Sequence, residues 1–447
     1  MGIGTTSPTQ KLDISDDLSS GAIEIGNTPT GTAGTVRYNG TYFQGYKTGS
    51  WHRLDAGGPI GRPDKVVIVD GFIIPDVQAG LDSLPDDGGV VYVPEGSWPI
   101  TTRIVVAKSN VTIRGAGPST IIGPSTSLSV VLVNACSNVT FEDLAFGQSS
   151  TSFGRDCVEI TNASNIHFEN VTFMSGESGI RISGVSSGNS GLLVEACRFT
   201  GQGQAIAVTD TGFSDIQIAN YIFDMDGTGL QAVYIDTGHE ISITGNIFRD
   251  AAYTSAEIWM SRGINVSNNI MQEPGSYGLV FSGCSNAVVN SNTLKGNMDY
   301  GISFEDCRRA IVSSNSVGDS LNTMDFGLYI TNSPQLVIEA NGLEGADHGV
   351  YIFACADSRI GSNRTISTVT SDYTFDACPR SSITGNLGST AGFYVSDSEI
   401  STISGNIGQD MDIAITDCPY SVVTGNNSGT GTFTNTGCLT CAEDNNL

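Results

Sequence analysis

The chain has 447 residues, 55 of them glycine, and its 46 acidic against 20 basic side chains leave a net charge of −26. That charge argues against binding a phosphate backbone, whose affinity comes from cations displacing counterions, and against an anionic membrane surface. A hydrophobic fraction of 39% is too high for a disordered chain, and the glycine load suits many short strands joined by tight turns.

The N-terminus, Met1-Gly-Ile-Gly-Thr-Thr-Ser-Pro, has no basic start followed by an apolar core, so no signal peptide is expected. No apolar run approaches the roughly 18 residues of a membrane helix, so no membrane insertion is expected either. Residues 1–55 contain Gly2-Ile-Gly-Thr-Thr-Ser-Pro-Thr-Gln-Lys-Leu-Asp-Ile, Gly34-Thr-Val-Arg-Tyr-Asn-Gly, Phe43-Gln-Gly-Tyr and Ser50-Trp-His-Arg-Leu. These motifs resemble repeats of bacteriophage tail fibres and tailspikes that stand ahead of the receptor-binding portion. The resemblance implies a stalk or adaptor over residues 1–58, contacting other tail or baseplate proteins.

Residues 65–117 hold a short-helix pattern at about 76–84, then Asp87-Gly-Gly-Val-Val-Tyr-Val-Pro-Glu-Gly-Ser-Trp, then Ser109-Asn-Val-Thr-Ile-Arg-Gly-Ala-Gly. This order closely resembles the entry segment of the pectate-lyase-like right-handed parallel β-helix superfamily. Val77, Leu81 and Leu84 share one helix face, suited to capping the open end of a core, which gives a capping segment over 59–98.

From there a repeat runs to the C-terminus. Its anchor position, apolar in the first ten units and serine in the last four, recurs at 111, 139, 166, 192, 216, 241, 264, 287, 310, 336, 358, 381, 401 and 421, at spacings that shrink from 28 to 20 residues. Strand side chains alternate faces, so columns read relative to this anchor separate inside from outside. Six before it stand Ile160, Ile235, Ile258, Phe281, Phe304 and Ile330; eight before, Val158, Val233, Leu279 and Ile302; seven after, Phe146, Phe173, Phe199, Phe223 and Phe248. Three inward columns per turn describe an all-β, three-sided parallel β-helix of about 14 coils over 99–437, followed by a tail over 438–447.

Two further columns are read as structural. Five after the anchor stand Asn246, Asn269, Asn292, Asn315, Asn341, Asn363, Asn386, Asn406 and Asn426, expected to hydrogen-bond their copies and to tolerate left-handed backbone. Three before it, Cys136, Cys284, Cys307, Cys355, Cys378 and Cys418 share a slot with Ala, Gly and Ser, so reduced core thiols are expected, with Cys284–Cys307 and Cys355–Cys378 near enough to oxidise if geometry allows. Cys438 and Cys441 form a single CxxC, weak evidence for zinc; no metal or cofactor is expected.

Chemistry must then sit on an outward face. Seven before the anchor stand Tyr234, Glu257, Tyr329 and Tyr351, and five before, Asp236, Trp259 and Glu305. Aromatics among carboxylates suit a sugar-binding surface, with rings stacking on pyranose faces. Asp236 and Glu257 are diagonal neighbours on adjacent coils, roughly 8 Å apart at the backbone, within the range for an inverting glycosidase. They are the candidate catalytic pair, with Glu305 a spare carboxylate. Tyr234, Trp259, Tyr329 and Tyr351 are candidate sugar contacts, joined by His239 and Arg262 at the adjoining turn and by Arg181.

Together the two resemblances imply a homotrimeric phage tailspike in the virion tail, folded in the host cytoplasm, that binds host surface polysaccharide. Depolymerisation by hydrolysis is the leading expectation. The alternatives are a fibre that only binds, and a lyase, for which the cations are sparse. The acidic surface favours a neutral or weakly charged glycan over a highly anionic one.

Overall fold

In the computed structural model the described residues are 65–71, 75–124, 129–147, 155–184, 189–209, 212–227, 229–296, 299–318, 324–389, 391–409, 412–437 and 442–444, together with five short strands between residues 12 and 53. Cys438 and Cys441 lie outside them.

The chain divides into two compact units, residues 1–85 with 89–92, and 86–88 with 93–447. In the first, Leu12–Asp13, Ala22–Ile25, Thr35–Tyr38, Phe43–Lys47 and Ser50–Arg53 pair in sequence as an antiparallel meander. Helix α1, Val77–Ser83, starts where the Asp76 carboxylate accepts from the Ala79 amide, and it buries Val77 and Leu81.

The second unit is a parallel β-solenoid. Each coil contributes a strand to each of three hydrogen-bonded ladders, and one of these ladders is a continuous 15-stranded parallel sheet from Ile104–Val106 to Phe433–Thr436. The apolar columns point inward as the alternation requires: Val158, Ile160, Val233, Ile235, Ile258, Leu279, Phe281, Ile302 and Phe304 are fully buried. Identical side chains from successive coils meet face to face. Phe173 stacks on Phe199 with centroids 4.6 Å apart, Phe199 on Phe223 at 5.1 Å, and Phe223 on Phe248 at 4.6 Å.

The asparagine column is a continuous hydrogen-bonded spine. Each Nδ2 donates to the next Oδ1, from Asn246→Asn269 at 3.0 Å to Asn406→Asn426 at 2.9 Å. It also donates to a main-chain carbonyl, as Asn315 does to Val289 at 2.9 Å, while Oδ1 takes the main-chain N–H of the preceding asparagine. The left-handed residue of each turn is not the ladder asparagine but the one before it: Asn268, Ser291, Ser314, Ala340 and Ser362 have φ between 56° and 57°, and Gly245, Gly385, Gly405 and Gly425 fill the same place. That conformation turns the chain so that the asparagine following it aims inward.

The cysteine column is buried, and all eight described cysteines are free thiols. The slot has a definite hydrogen-bonding role. Cys307 Sγ donates to the Glu305 carbonyl at 3.2 Å and accepts the Cys284 N–H at 3.2 Å, and Ser333 does the same with the Thr331 carbonyl and the Cys307 N–H. Serine and cysteine interchange there because both are small and can donate and accept. In the late coils the anchor position repeats this arrangement with Ser358, Ser381, Ser401 and Ser421, each Oγ accepting the N–H of the residue one coil earlier.

Candidate functional site

The 15-stranded sheet carries the expected acidic and aromatic positions on its outer surface. Strands Gln231–Asp236 and Thr254–Trp259 pair in parallel with Tyr234 opposite Glu257 and Asp236 opposite Trp259. All four are thus on two adjacent rungs, about 4.8 Å apart.

Their hydrogen bonds distinguish them. Trp259 Nε1 donates to Glu257 Oε1 at 2.8 Å, Gln231 Nε2 donates to Glu257 Oε2 at 2.9 Å, and Gln204 Nε2 supports Gln231 through Oε1 at 2.9 Å. Glu257 is only 8% exposed, and it holds the Trp259 indole in place. Trp259 itself is 39% exposed, and its neighbours above and below on the ladder are Ser282 and Asp236, which leaves its ring face uncovered by any described ring. Asp236 Oδ1 is buried with no hydrogen-bond partner. Burial, reinforced by the charges of Asp236 and Glu257, raises the Tyr234 hydroxyl above its usual range.

Tyr329 and Tyr351 lie farther along the same face. They stack on each other at 5.5 Å and 8° and belong to a larger aromatic ladder. Tyr277 stacks on Tyr300 at 5.0 Å, Tyr300 on Phe326 at 5.3 Å, and Phe326 on His348 at 4.9 Å, with Tyr253 edge-on to Tyr277 at 5.1 Å. Rings that cover one another's faces offer a ligand only their edges and hydroxyls. Beside this ladder Asp299, Asp325 and Asp347 follow one another on adjacent coils. Burial, with the charges of Asp299 and Asp347, raises the Asp325 carboxyl. Burial lowers His348, whose Nδ1 lies 2.7 Å from Ser371 Oγ.

Period-two reading misses Tyr277, Tyr300, Phe326 and His348. Each is followed by a small residue, glycine in all four cases, and then by an inward apolar residue such as Leu279 or Val350, so two buried positions run together and alternation breaks. Two of the glycines are required by space: a Cβ on Gly327 would sit 2.6 Å from the Gly349 carbonyl oxygen, and one on Gly349 would sit 2.5 Å from Thr365 Cγ2 and 2.6 Å from the Asp372 carbonyl oxygen. The repeating aromatic-Gly pair was the available signal.

The remaining expected residues are placed separately. Glu305 is exposed, two rungs beyond Trp259 with Ser282 between. Arg181 is held in ion pairs with Glu177 at 2.8 Å and Asp156 at 3.2 Å, one rung of alanine away from Tyr234. His239 and Arg262 stand opposite each other on the neighbouring ladder, with His239 Nδ1 buried and unpartnered.

A family profile described as periplasmic copper-binding protein (NosD) matches residues 185–364, less than half of the chain. No curated protein matches. Among solved structures, a tailspike protein mutant of E. coli bacteriophage HK620 in complex with pentasaccharide superposes with a TM-score of 0.60 at 14% identity, covering 87% of this chain and 80% of that one. A double mutant of the same tailspike with pentasaccharide gives 0.56 at 13% identity over the same shares. An alginate lyase complexed with trisaccharide gives 0.46 at 16% identity, covering 74% of this chain and 86% of that one. The chain therefore has the parallel β-helix fold found in phage tailspikes. Among the described residues of the matched stretch the cysteines and histidines do not come together as a copper site: Cys197, Cys284, Cys307 and Cys355 are buried and bonded to main-chain carbonyls, His239 and His348 lie on different ladders, and no cluster of His, Cys, Asp and Glu that could hold a metal occurs among the described residues.

Proposed function

We propose that this chain is a trimeric tail component of a phage virion that binds host surface polysaccharide and cleaves it by glycoside hydrolysis at the Asp236–Glu257 patch. The observation that carries this reading is the open face of Trp259, fixed by Glu257 and flanked by Asp236, whose buried Oδ1 has no partner. A pyranose lying on the indole brings its glycosidic oxygen over the two carboxyls. Backbones roughly 8 Å apart allow the two carboxyls the separation of about 6.5–9.5 Å that admits a water, one carboxyl protonating the leaving oxygen while the other activates the water, with inversion. The HK620 tailspike, bound to pentasaccharide in its complexes, supports a saccharide ligand on this fold.

A second reading, binding without turnover, is favoured by one observation: both Glu257 oxygens are already engaged, by Trp259 and Gln231, so that Glu257 serves to position the indole. Purified protein incubated with host capsule or lipopolysaccharide separates the two. New reducing ends that vanish in Asp236→Asn and Glu257→Gln support hydrolysis. Binding lost in Trp259→Ala with no product from the native chain supports the second reading, absorbance of an unsaturated uronate would replace both with a lyase, and full activity in both carboxylate variants would refute the site.

A further inference from the structure

We infer that a second saccharide site, specific for a sugar bearing an anionic group, lies on a different ladder of the solenoid from Trp259. There the outward side chains of consecutive rungs shrink. One column runs Thr293, Ser316, Gly342, Arg364 and its neighbour Lys295, Gly318, Glu344, Ile366. The small central residues leave a groove of about 500 Å³ with Lys295 at one end and Arg364 at the other. The two cations are roughly 16 Å apart at the backbone, diagonally across three rungs, so both side chains can lean over a floor only one or two sugar units long.

Charge identifies the occupant. In a chain of net charge −26, cations are scarce, and Arg103, Arg114, Arg181, Arg198, Arg359 and Arg380 are each committed to a carboxylate. Lys295 and Arg364 are exposed and take part in no ion pair among the described residues, although Glu344 stands on an intervening rung. The groove thus presents two uncommitted cations against one carboxylate, above a floor of serine hydroxyl and bare backbone. That combination suits a ring rich in hydroxyls that carries a negative group: the cations take the anion, and Glu344 and Ser316 take hydroxyls. The volume is in the range of small-ligand sites. An acidic sugar here is compatible with a neutral one at Trp259, as in a repeat unit with one charged residue.

The site shares with the function proposed above only that the ligand is a glycan, and the test keeps the two apart. The full chain is titrated calorimetrically with tetragalacturonate and, as the neutral control, maltotetraose. Tetragalacturonate is expected to bind and maltotetraose not to. Lys295→Ala and Arg364→Ala are each expected to weaken binding about tenfold or more. Gly342→Phe is expected to abolish it without unfolding the coil, because a Cβ there meets nothing within 4 Å and the backbone is not left-handed. Trp259→Ala is expected to leave this binding unchanged while removing any binding of host polysaccharide that depends on the other face. Displacement by glucuronate or by glucose 6-phosphate, but not by glucose, identifies carboxylate or phosphate as the anchored group and supports the site. No saturable binding of tetragalacturonate, equal binding of maltotetraose, or unchanged binding in Gly342→Phe would overturn it.

Discussion

Asn315 lies mid-spine, and its replacement tests whether the spine holds the coils together. The side chain makes four hydrogen bonds: Nδ2 donates to Val289 O at 2.9 Å and to Asn341 Oδ1 at 3.0 Å, and Oδ1 accepts from Asn292 N at 3.0 Å and Asn292 Nδ2 at 3.0 Å. Asn315→Ala leaves Val289 O, Asn292 N and one Asn292 Nδ2 hydrogen without partners, whereas Asn341 Oδ1 still accepts the Asn315 N–H at 3.0 Å. Each buried group stranded in this way costs about 1–3 kcal/mol, and a water entering the vacated space recovers part of the total, so a loss of roughly 3–6 kcal/mol is expected. Asn315→Asp keeps the acceptor but loses both donors and adds a charge, and it is expected to cost at least as much at neutral pH. Ser313→Ala, on the same coil, is the control, expected within about 0.5 kcal/mol. The assay is the urea midpoint of far-ultraviolet circular dichroism at unchanged m-value. A loss below about 1 kcal/mol for both Asn315 variants would refute the assignment of stability to the spine.

Three other outcomes follow from particular contacts. Burial pushes Cys355 and Cys378 up to about 12, so at pH 8 only ~10⁻⁴ of either is thiolate, and neither should react with iodoacetamide until urea is added; labelling in the native chain would contradict this. The lowered pKa of His348, surrounded by Phe326, Tyr351, Asp325, Asp347 and Ser371, means that the unfolded chain binds its proton first. Stability contributed by the neutral ring is therefore full above 6.5 and lost as pH falls through the folded value, and His348→Gln should flatten the melting temperature against pH in that window. Gly349→Ala should cost about 1–3 kcal/mol, because its Cβ would collide with Thr365 and the Asp372 carbonyl, and a melting temperature within 1 °C of the native chain would contradict the close approach.

The solenoid was legible in the sequence because each coil repeats the same steric problem. Val233, Ile235 and Phe248 fill positions that a period of two within strands and about 23 residues between coils selects unambiguously, and the predicted facing of Tyr234 with Glu257 and Asp236 with Trp259 matches the pairing found. What escaped it depended on departures from that period. Two adjacent buried positions, Gly278 and Leu279, moved Tyr277 out of the expected column, and the equivalent glycine pairs did the same to Tyr300, Phe326 and His348, so that of the aromatic ladder only Tyr329 and Tyr351 were legible. The left-handed turn residue lay one place earlier than the asparagine that draws the eye. At the candidate site, composition revealed which residues share a face. It did not reveal that Glu257 would be bonded on both oxygens or that Arg181 would be bound to Asp156 and Glu177, because those contacts depend on rotamers chosen by three-dimensional neighbours.

The spine also has a direction. Every one of the eight links from Asn246 to Asn426 donates toward the C-terminal coil, so nine side-chain amide dipoles line up head to tail and polarise one another, each bond strengthened by those on either side. The solenoid therefore carries an internal polar wire, with its donor end toward the last coils. A coil inserted without the amide would act as an insulator, splitting one long array into two short ones, while trimming from either end would merely shorten it.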